Sequence, residues 1–358
     1  MKVLVLTAFY PDNNGNHDRM FIHIRNRYYL NNGIDVSVIN FNTNDDYIID
    51  GVKVYSPKSY YKKKEHYDVL ISHASNIRNN LMFIRKNEHY FKKIIFFFHG
   101  HEILYINHEY PEPYNYMRKN AFINRIKHAL YDRVKMRVWR YYYRKYQSKA
   151  EFVFVSKWIK NKFDQNIYEL NQNFHIINNS VGLAFEQGTY KWNCKKSYNF
   201  ISIRSDLDGS KYCVDLYVKM AKKYKNLKFL LIGKGRFFEY NKKPENLTWI
   251  NTSLSHEELL DYINDSECAV LLTREDTQGV MTCEVAAIGM PVITSNIDVC
   301  KEIFEGIDNV AMVDNEIDMV DIEKIKNELI RKQPFKKCDR YNYINTVNRE
   351  IELINSCI

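Results

Sequence analysis

No window of this chain approaches about 18 uncharged apolar residues, so no segment is expected to cross a membrane as a helix. The apolar run after Met1-Lys2 breaks at Pro11-Asp12-Asn13-Asn14-Gly15, too early for a signal peptide. The seven cysteines (Cys194, Cys213, Cys268, Cys283, Cys300, Cys338, Cys357) contain no C-x-x-C pair. An odd, scattered set reads as reduced thiols in a cytoplasmic protein. No tandem repeat is visible, and no nucleic-acid motif accompanies the basic segments. A chain that is 45% hydrophobic and 15% aromatic is also not a disordered one.

Its 358 residues suffice for two domains, each with its own core. The net charge of +9 is unevenly placed. Residues 1–185 hold 28 Lys and Arg against 16 Asp and Glu, whereas the remainder holds 24 against 27. The first half is therefore expected to meet something anionic.

Short apolar runs alternate with helical patterns, the signature of parallel sheets covered on both faces. In the first half the strands are expected at Val3 to Leu6, Val36 to Ile39, Val69 to Ile71, Ile94 to Phe98, Phe152 to Val155 and His175 to Ile177. A helix is expected from Asp18 to Leu30. The aperiodic stretch from about Gly182 to Ser197 is the candidate linker. The pattern then restarts with a strand at Phe200 to Ile203, a helix at Val214 to Tyr224 and a strand at Lys228 to Ile232. Ser255 and Glu258 form a capping box, and a last helix runs from Tyr341 to Ile354.

The most informative stretch is Arg274-Glu275-Asp276-Thr277-Gln278-Gly279. A buried strand, Cys268 to Leu272, precedes it. A helix over Val280 to Ala287 follows, capped by Gly289 and stopped by Pro291, and Val292-Ile293-Thr294 reads as the next strand. A helix entered from the carboxyl end of a parallel strand turns its free N–H groups and positive dipole toward the ligand crevice, which suits a diphosphate. Asp276 and Glu284 flank that turn. An ionised carboxylate accepts hydrogen bonds from vicinal hydroxyls, so the pattern suits a nucleotide sugar. The plainer reading has Asp276 or Thr277 as a helix cap and Glu284 solvated.

This segment resembles the retaining glycosyltransferases of family 4, whose signature is Glu, seven residues, Glu-Ala and a Gly-x-Pro-Val-Ile ending. Here Asp276 replaces the first Glu, Glu284-Val285-Ala286 matches the second, and Gly289-Met290-Pro291-Val292-Ile293 matches the ending. The variant branch with Asp-Thr-Gln-Gly fits best, and the resemblance covers nearly the whole chain. It implies an α/β GT-B fold: two Rossmann-like domains facing each other across a cleft, with the C-terminal helix crossing back to the first. The boundaries that follow are 1–185 plus 341–358 for the acceptor-side domain and 186–340 for the nucleotide-sugar domain. The resemblance implies retention of configuration without a metal, and transfer of a hexosyl or N-acetylhexosaminyl group to a glycan or lipid-linked acceptor. No cofactor is implied, because the nucleotide sugar is a substrate.

By the same resemblance, Glu284 binds the ribose and Asp276 the sugar hydroxyls, with Thr277, Gln278, Gly279 and Val280 lining the donor. Arg204 matches the first of two diphosphate-binding cations. The second, a Lys-Gly pair in the family, is Tyr212-Cys213 here, with Lys211 one residue earlier. Either Lys211 substitutes, or Arg204 acts with backbone amides. Gly233-Lys234-Gly235 falls where the family has Gly-x-Gly beside the nucleotide, though such a pair often marks only a turn. Gly15 lies in the family's Gly-rich first loop, where Asp18 reads equally as a helix cap. His99 in His99-Gly100-His101-Glu102 matches the family's histidine that faces the donor. A core histidine and a metal cluster are the competing readings there. Asn179 reads as a turn former at the hinge.

Residues 115–149 carry 11 Lys and Arg and one acid, Asp132, among many aromatics. Arg133, Arg137, Arg140 and Arg144 recur at helical spacing. The segment reads as a helix on an anionic membrane, which would make the protein peripheral; a solvated helix face is the alternative, and no nucleic acid is expected. Lys62-Lys63-Lys64 adds to that basic surface. The competing functions are another GT-B enzyme, such as an epimerase or phosphorylase, and a non-catalytic membrane or RNA adaptor.

Overall fold

The computed structural model describes residues 1–13, 19–63 and 65–357, so Gly15, Asp18 and Lys64 lie outside the described residues. Two compact units share the chain. The first comprises Met1–Ile106, His128–Ser180 and Tyr343–Ile358; the second comprises Asn107–Lys127 and Val181–Asn342.

The first unit is built on β1 (Lys2–Thr7), β2 (Asp35–Asn40), β3 (Tyr47–Ile49), β4 (Val52–Tyr55), β5 (Val69–His73), β6 (Lys93–Phe98), β7 (Ala150–Phe154) and β8 (Phe174–Ile176). They form one sheet in the order β3-β4-β2-β1-β5-β6-β7-β8, in which only β3 and β4 pair antiparallel. That hairpin turns at Asp50-Gly51, both with positive φ (46° and 81°), the backbone a tight two-residue turn needs. The apolar-run reading did not find β3 and β4, because β3 has no buried residue and the exposed Lys53 interrupts β4.

Buried on both faces, β6 reads as one hydrophobic run, yet its side chains still alternate. Ile95 and Phe97 join a core with Ile22 and Tyr29 of the helix Met20–Asn31 and Val347 and Ile354 of the last helix, Val347–Ser356. Phe96 and Phe98 instead meet Tyr143 of the long helix Ala121–Tyr146, and Phe98 also meets Phe163. The last helix starts six residues later than the sequence pattern indicated, after a 3-10 turn at Asp339–Tyr341.

The second unit has six parallel strands: β9 (Tyr198–Asp206), β10 (Phe229–Lys234), β11 (Leu247–Ile250), β12 (Ser266–Leu271), β13 (Val292–Ser295) and β14 (Val310–Val313). Their order is β11-β10-β9-β12-β13-β14. The chain builds outward from β9 on one side, then returns to build outward from β12 on the other. Ligands of open α/β sheets bind outside the carboxyl ends at such a reversal. Both units are therefore Rossmann-like.

The candidate linker is partly structured. Leu183–Gln187 is a short helix, and Tyr190 is buried with its hydroxyl donating to the Ser266 carbonyl at 2.7 Å. The capping box is present, with the Ser255 side chain accepting from the Glu258 amide and the Glu258 carboxylate accepting from the Ser255 amide.

Candidate functional site

The reversal between β9 and β12 gathers most of the sequence-derived donor residues. Arg204 lies on β9, two residues before its end. Its guanidinium donates from Nη2 to the Leu272 carbonyl and sits 5.4 Å from the Tyr212 ring. Arg204 is 8% exposed, its Nε has no hydrogen-bond partner, and no carboxylate pairs with it among the described residues. Burial lowers its pKa, against the pull of Cys213, Tyr212, Asp276 and Cys300. A buried cation without an anion is costly, and an anionic ligand at this place would remove the cost.

Lys211 stands on the same rim. Burial works against its charge, but Tyr212, Asp276 and Glu275 outweigh that and raise its pKa, so it stays protonated. Its ammonium lies 4.9 Å from the Tyr212 ring, and its carbonyl accepts from the Arg274 amide at 2.8 Å. Cys213 next to it has φ 55° and ψ 33°, a left-handed conformation that glycine adopts freely. The helix Val214–Lys223 begins from that turn.

Gly233 ends the straight part of β10 with φ 149°, and a Cβ there would fall 2.0 Å from the Arg204 carbonyl oxygen. Its requirement for glycine is thus a close crossing of the Arg204 backbone. The crossing fixes the height of the Arg204 strand beneath the rim.

After β12 the chain enters the carboxylate loop. Asp276 Oδ1 accepts from the amides of Thr277 (2.8 Å), Gln278 (3.3 Å) and Gly279 (3.0 Å). Gly279, at φ 73°, then admits the helix Val280–Ala287. Asp276 does not cap the helix, whose N-cap is Gly279 without a side-chain bond; its Oδ1 holds the preceding loop, and Oδ2 makes no hydrogen bond among the described residues. Gln278 is buried, whereas Thr277 and Val280 are half-buried beside the helix start, where first-turn amides lack intrahelical partners. Arg274 turns away to a two-point ion pair with Asp215 at 2.9 and 2.6 Å.

Glu284 is 2% exposed, not solvated. Its Oε1 accepts from the Gly182 amide at 2.9 Å and lies 3.8 Å from His256 Nε2. Burial raises its pKa, with His256 and the Gly182 amide opposing. Oε2 has no hydrogen-bond partner among the described residues. A Cβ on Gly182 would sit 2.3 Å from the His256 ring and 3.2 Å from Glu284 Oε1, so the glycine is required for this approach. Sequence reasoning missed Gly182 and His256; the helix-opening place of His256 beside the capping box was their only local signal.

His99 belongs to the first unit, just beyond β6. Its backbone amide donates to Glu102, and its Nε2 lies 3.0 Å from His73 Nδ1 at the end of β5. Burial holds both imidazoles well below their usual pKa, assisted by Arg25 and Arg19 and, for His99, by His73. Among the described residues no group of three or more His, Cys, Asp or Glu converges as a metal site. Asn179 is buried, and its Oδ1 accepts from Arg25 at 2.8 Å.

Residues 201–330 match the family model "Glycosyl transferases group 1". No curated protein matches the chain in sequence. Among solved structures, sucrose-phosphate synthase from Thermosynechococcus elongatus is 10% identical, with a TM-score of 0.70 over 99% of this chain and 98% of that one. HepE of Anabaena, solved with UDP and glucose, is 12% identical, with a TM-score of 0.66 and all of both chains covered. WaaG, a glycosyltransferase involved in lipopolysaccharide biosynthesis, is 10% identical, with a TM-score of 0.56 over 93% of this chain and 91% of that one. The fold is GT-B, and the family match together with these neighbours supports glycosyl transfer.

Proposed function

We propose that this protein is a retaining, metal-independent glycosyltransferase of family 4, moving a hexosyl or N-acetylhexosaminyl group from a nucleotide sugar to a glycan or lipid-linked acceptor in surface polysaccharide assembly. The observation that carries the reading is the buried Arg204 guanidinium at the reversal of the second sheet, with no partner for its Nε and no paired carboxylate among the described residues. A nucleoside diphosphate supplies the missing anion. As the bond from the sugar to the diphosphate breaks, negative charge grows on the leaving oxygen. Arg204, charged Lys211 and the amides opening Val280–Ala287 then stabilise it more than they stabilise the ground state. Glu284 Oε2 is available to the ribose and Asp276 Oδ2 to sugar hydroxyls, and by the resemblance His99 hydrogen-bonds the sugar or phosphate. HepE, with its UDP and glucose, lends support through a shared fold.

A thermal-shift screen with nucleoside diphosphates and nucleotide sugars tests this reading, and no stabilisation by any of them would defeat it. Glu284→Gln should weaken diphosphate binding by about 1.5–3 kcal/mol, roughly tenfold to over a hundredfold in Kd. Asp276→Asn keeps the Oδ1 acceptor for the loop amides and should mainly lower transfer. Calorimetric titration giving equal nucleotide affinity for wild type and Glu284→Gln would remove the ribose assignment.

Peripheral attachment to the cytoplasmic face of an anionic membrane is part of the same proposal. No helix among the described residues is long and apolar enough to cross a membrane. The helix Ala121–Tyr146 nevertheless exposes Phe122 (76%), Leu130, Val134 and Tyr141 beside exposed Arg133, Arg137, Arg140 and Arg144. Each such cation is worth about 1 kcal/mol at an anionic surface. Changing those four arginines to Gln should weaken sedimentation with anionic vesicles at low salt. Equal wild-type binding to neutral and anionic vesicles would leave an ordinary solvated helix.

A further inference from the structure

In the first unit a pair of histidines occupies the carboxyl ends of two adjacent strands. His73 closes β5 and is fully buried, 0% exposed, with its ring 4.5 Å from that of Phe97. His99 follows β6 and is half-buried, with its ring 4.7 Å from that of Phe21. The His73 Nδ1 to His99 Nε2 contact of 3.0 Å requires one proton between two ring nitrogens. Burial and the nearby Arg19 and Arg25 keep both rings neutral, so each ring carries one N–H.

Two arrangements satisfy that count. If His99 Nε2–H donates, His73 must carry its own proton on Nε2, which is buried without a partner among the described residues. If His73 Nδ1–H donates, the buried Nε2 presents only a lone pair, and the proton of His99 sits on Nδ1. Burying an unpaired N–H is rarer and costlier than leaving an acceptor unfilled. His99 Nδ1 makes no hydrogen bond among the described residues, so its proton is available to a ligand. We infer that His73 is a positioning residue which locks His99 in the Nδ1–H tautomer, so that His99 offers a donor, not an acceptor, to an oxygen of the bound sugar or phosphate. The inference rests on His99 as a substrate-facing residue. It adds a reason for His73 to be histidine at a fully buried strand end, and it restricts the partner atom to one that accepts.

The test is long-range proton–nitrogen NMR of the full-length protein labelled with nitrogen-15 histidine at neutral pH, with His99 assigned by His99→Gln. The expected wild-type result is a protonated Nδ1 and a bare Nε2 on His99. His73→Asn, whose side-chain amide can donate from the place of Nδ1, should keep that pattern. His73→Leu should lose it. Transfer kcat/KM should fall about tenfold in His73→Leu and stay close to wild type in His73→Asn. A purely packing role for His73 would not leave the tautomer tracking the donor in this way. A wild-type Nε2–H tautomer, or a loss of the pattern in a folded His73→Asn, overturns the inference. An unchanged tautomer in a folded His73→Leu does so too. The tautomer is read without turnover, so a protein that shows it yet transfers no sugar would defeat the proposed function while upholding the role of His73.

Discussion

Arg204→Ala is expected to lower transfer kcat/KM at least about 100-fold, because the charge it meets grows as the diphosphate leaves. The effect should be large for a second reason. Arg204 is buried with an unused Nε, so its fork is held in place before any ligand arrives. Its carbonyl lies under Gly233 and its Nη2 on the Leu272 carbonyl, which together fix its position. Little ordering is then lost when the ligand binds. Lys211→Ala should be milder, since Lys211 stands one residue before the lysine of the family that the loop resembles. Steady-state kinetics over both variants decides the matter. If Lys211→Ala proves the more damaging, Lys211 holds the diphosphate and the reading of Arg204 is wrong.

Glu350→Ala should be the most destabilising of the substitutions considered. Glu350 on the last helix is 0% exposed, and its Oε1 accepts from Arg25 Nε at 2.8 Å. Tyr29 donates to its other oxygen, and Arg25 reaches on to Asn179 Oδ1 at 2.8 Å. Arg25 is itself 1% exposed, so removing the carboxylate strands a buried cation. Breaking one partner of such a pair costs about 3–5 kcal/mol. At about 2–4 °C per kcal/mol for a unit of this size, the first thermal transition should fall by roughly 6–20 °C. The double variant Arg25→Met with Glu350→Leu should recover part of that loss, because the two apolar side chains need no partners although the buried Tyr29 hydroxyl loses its acceptor. Urea unfolding of Glu350→Ala that shows a loss below about 1 kcal/mol would mean that water or a neighbouring group already satisfies Arg25.

These two residues separate what was legible in the sequence from what was not. The place of Arg204 near the end of a strand was legible because its signal is local, an apolar run that ends in a cation, whereas its role came only from the resemblance. The helix Val280–Ala287 was legible for the same reason, its bounds written in Gly279 and Gly289-Met290-Pro291. The alternation of apolar runs and helical patterns also sufficed for two parallel sheets, because near neighbours determine periodicity, caps and turns.

Pairings between distant residues were not legible. Arg25 and Glu350 are 325 positions apart, Gly182 and Glu284 are 102 apart, and His73 ends β5 whereas His99 follows β6. Which of them meet follows from strand order: β5 beside β6, and β9 beside β12 although β10 and β11 come between them in the chain. Exposure was equally hidden. The alternative of a solvated Glu284 falls only once the fold brings Gly182 and His256 against it, and Asp132 and Lys135 pair in the buried face of a helix that reads as predominantly basic. Composition and spacing alone thus determined an α/β class of fold and marked the turn between Asp276 and Glu284 as a place where chemistry could occur. Only the tertiary structure decided which charges are buried and which of them still lack a partner, because burial and pairing depend on chain segments that no local pattern can specify.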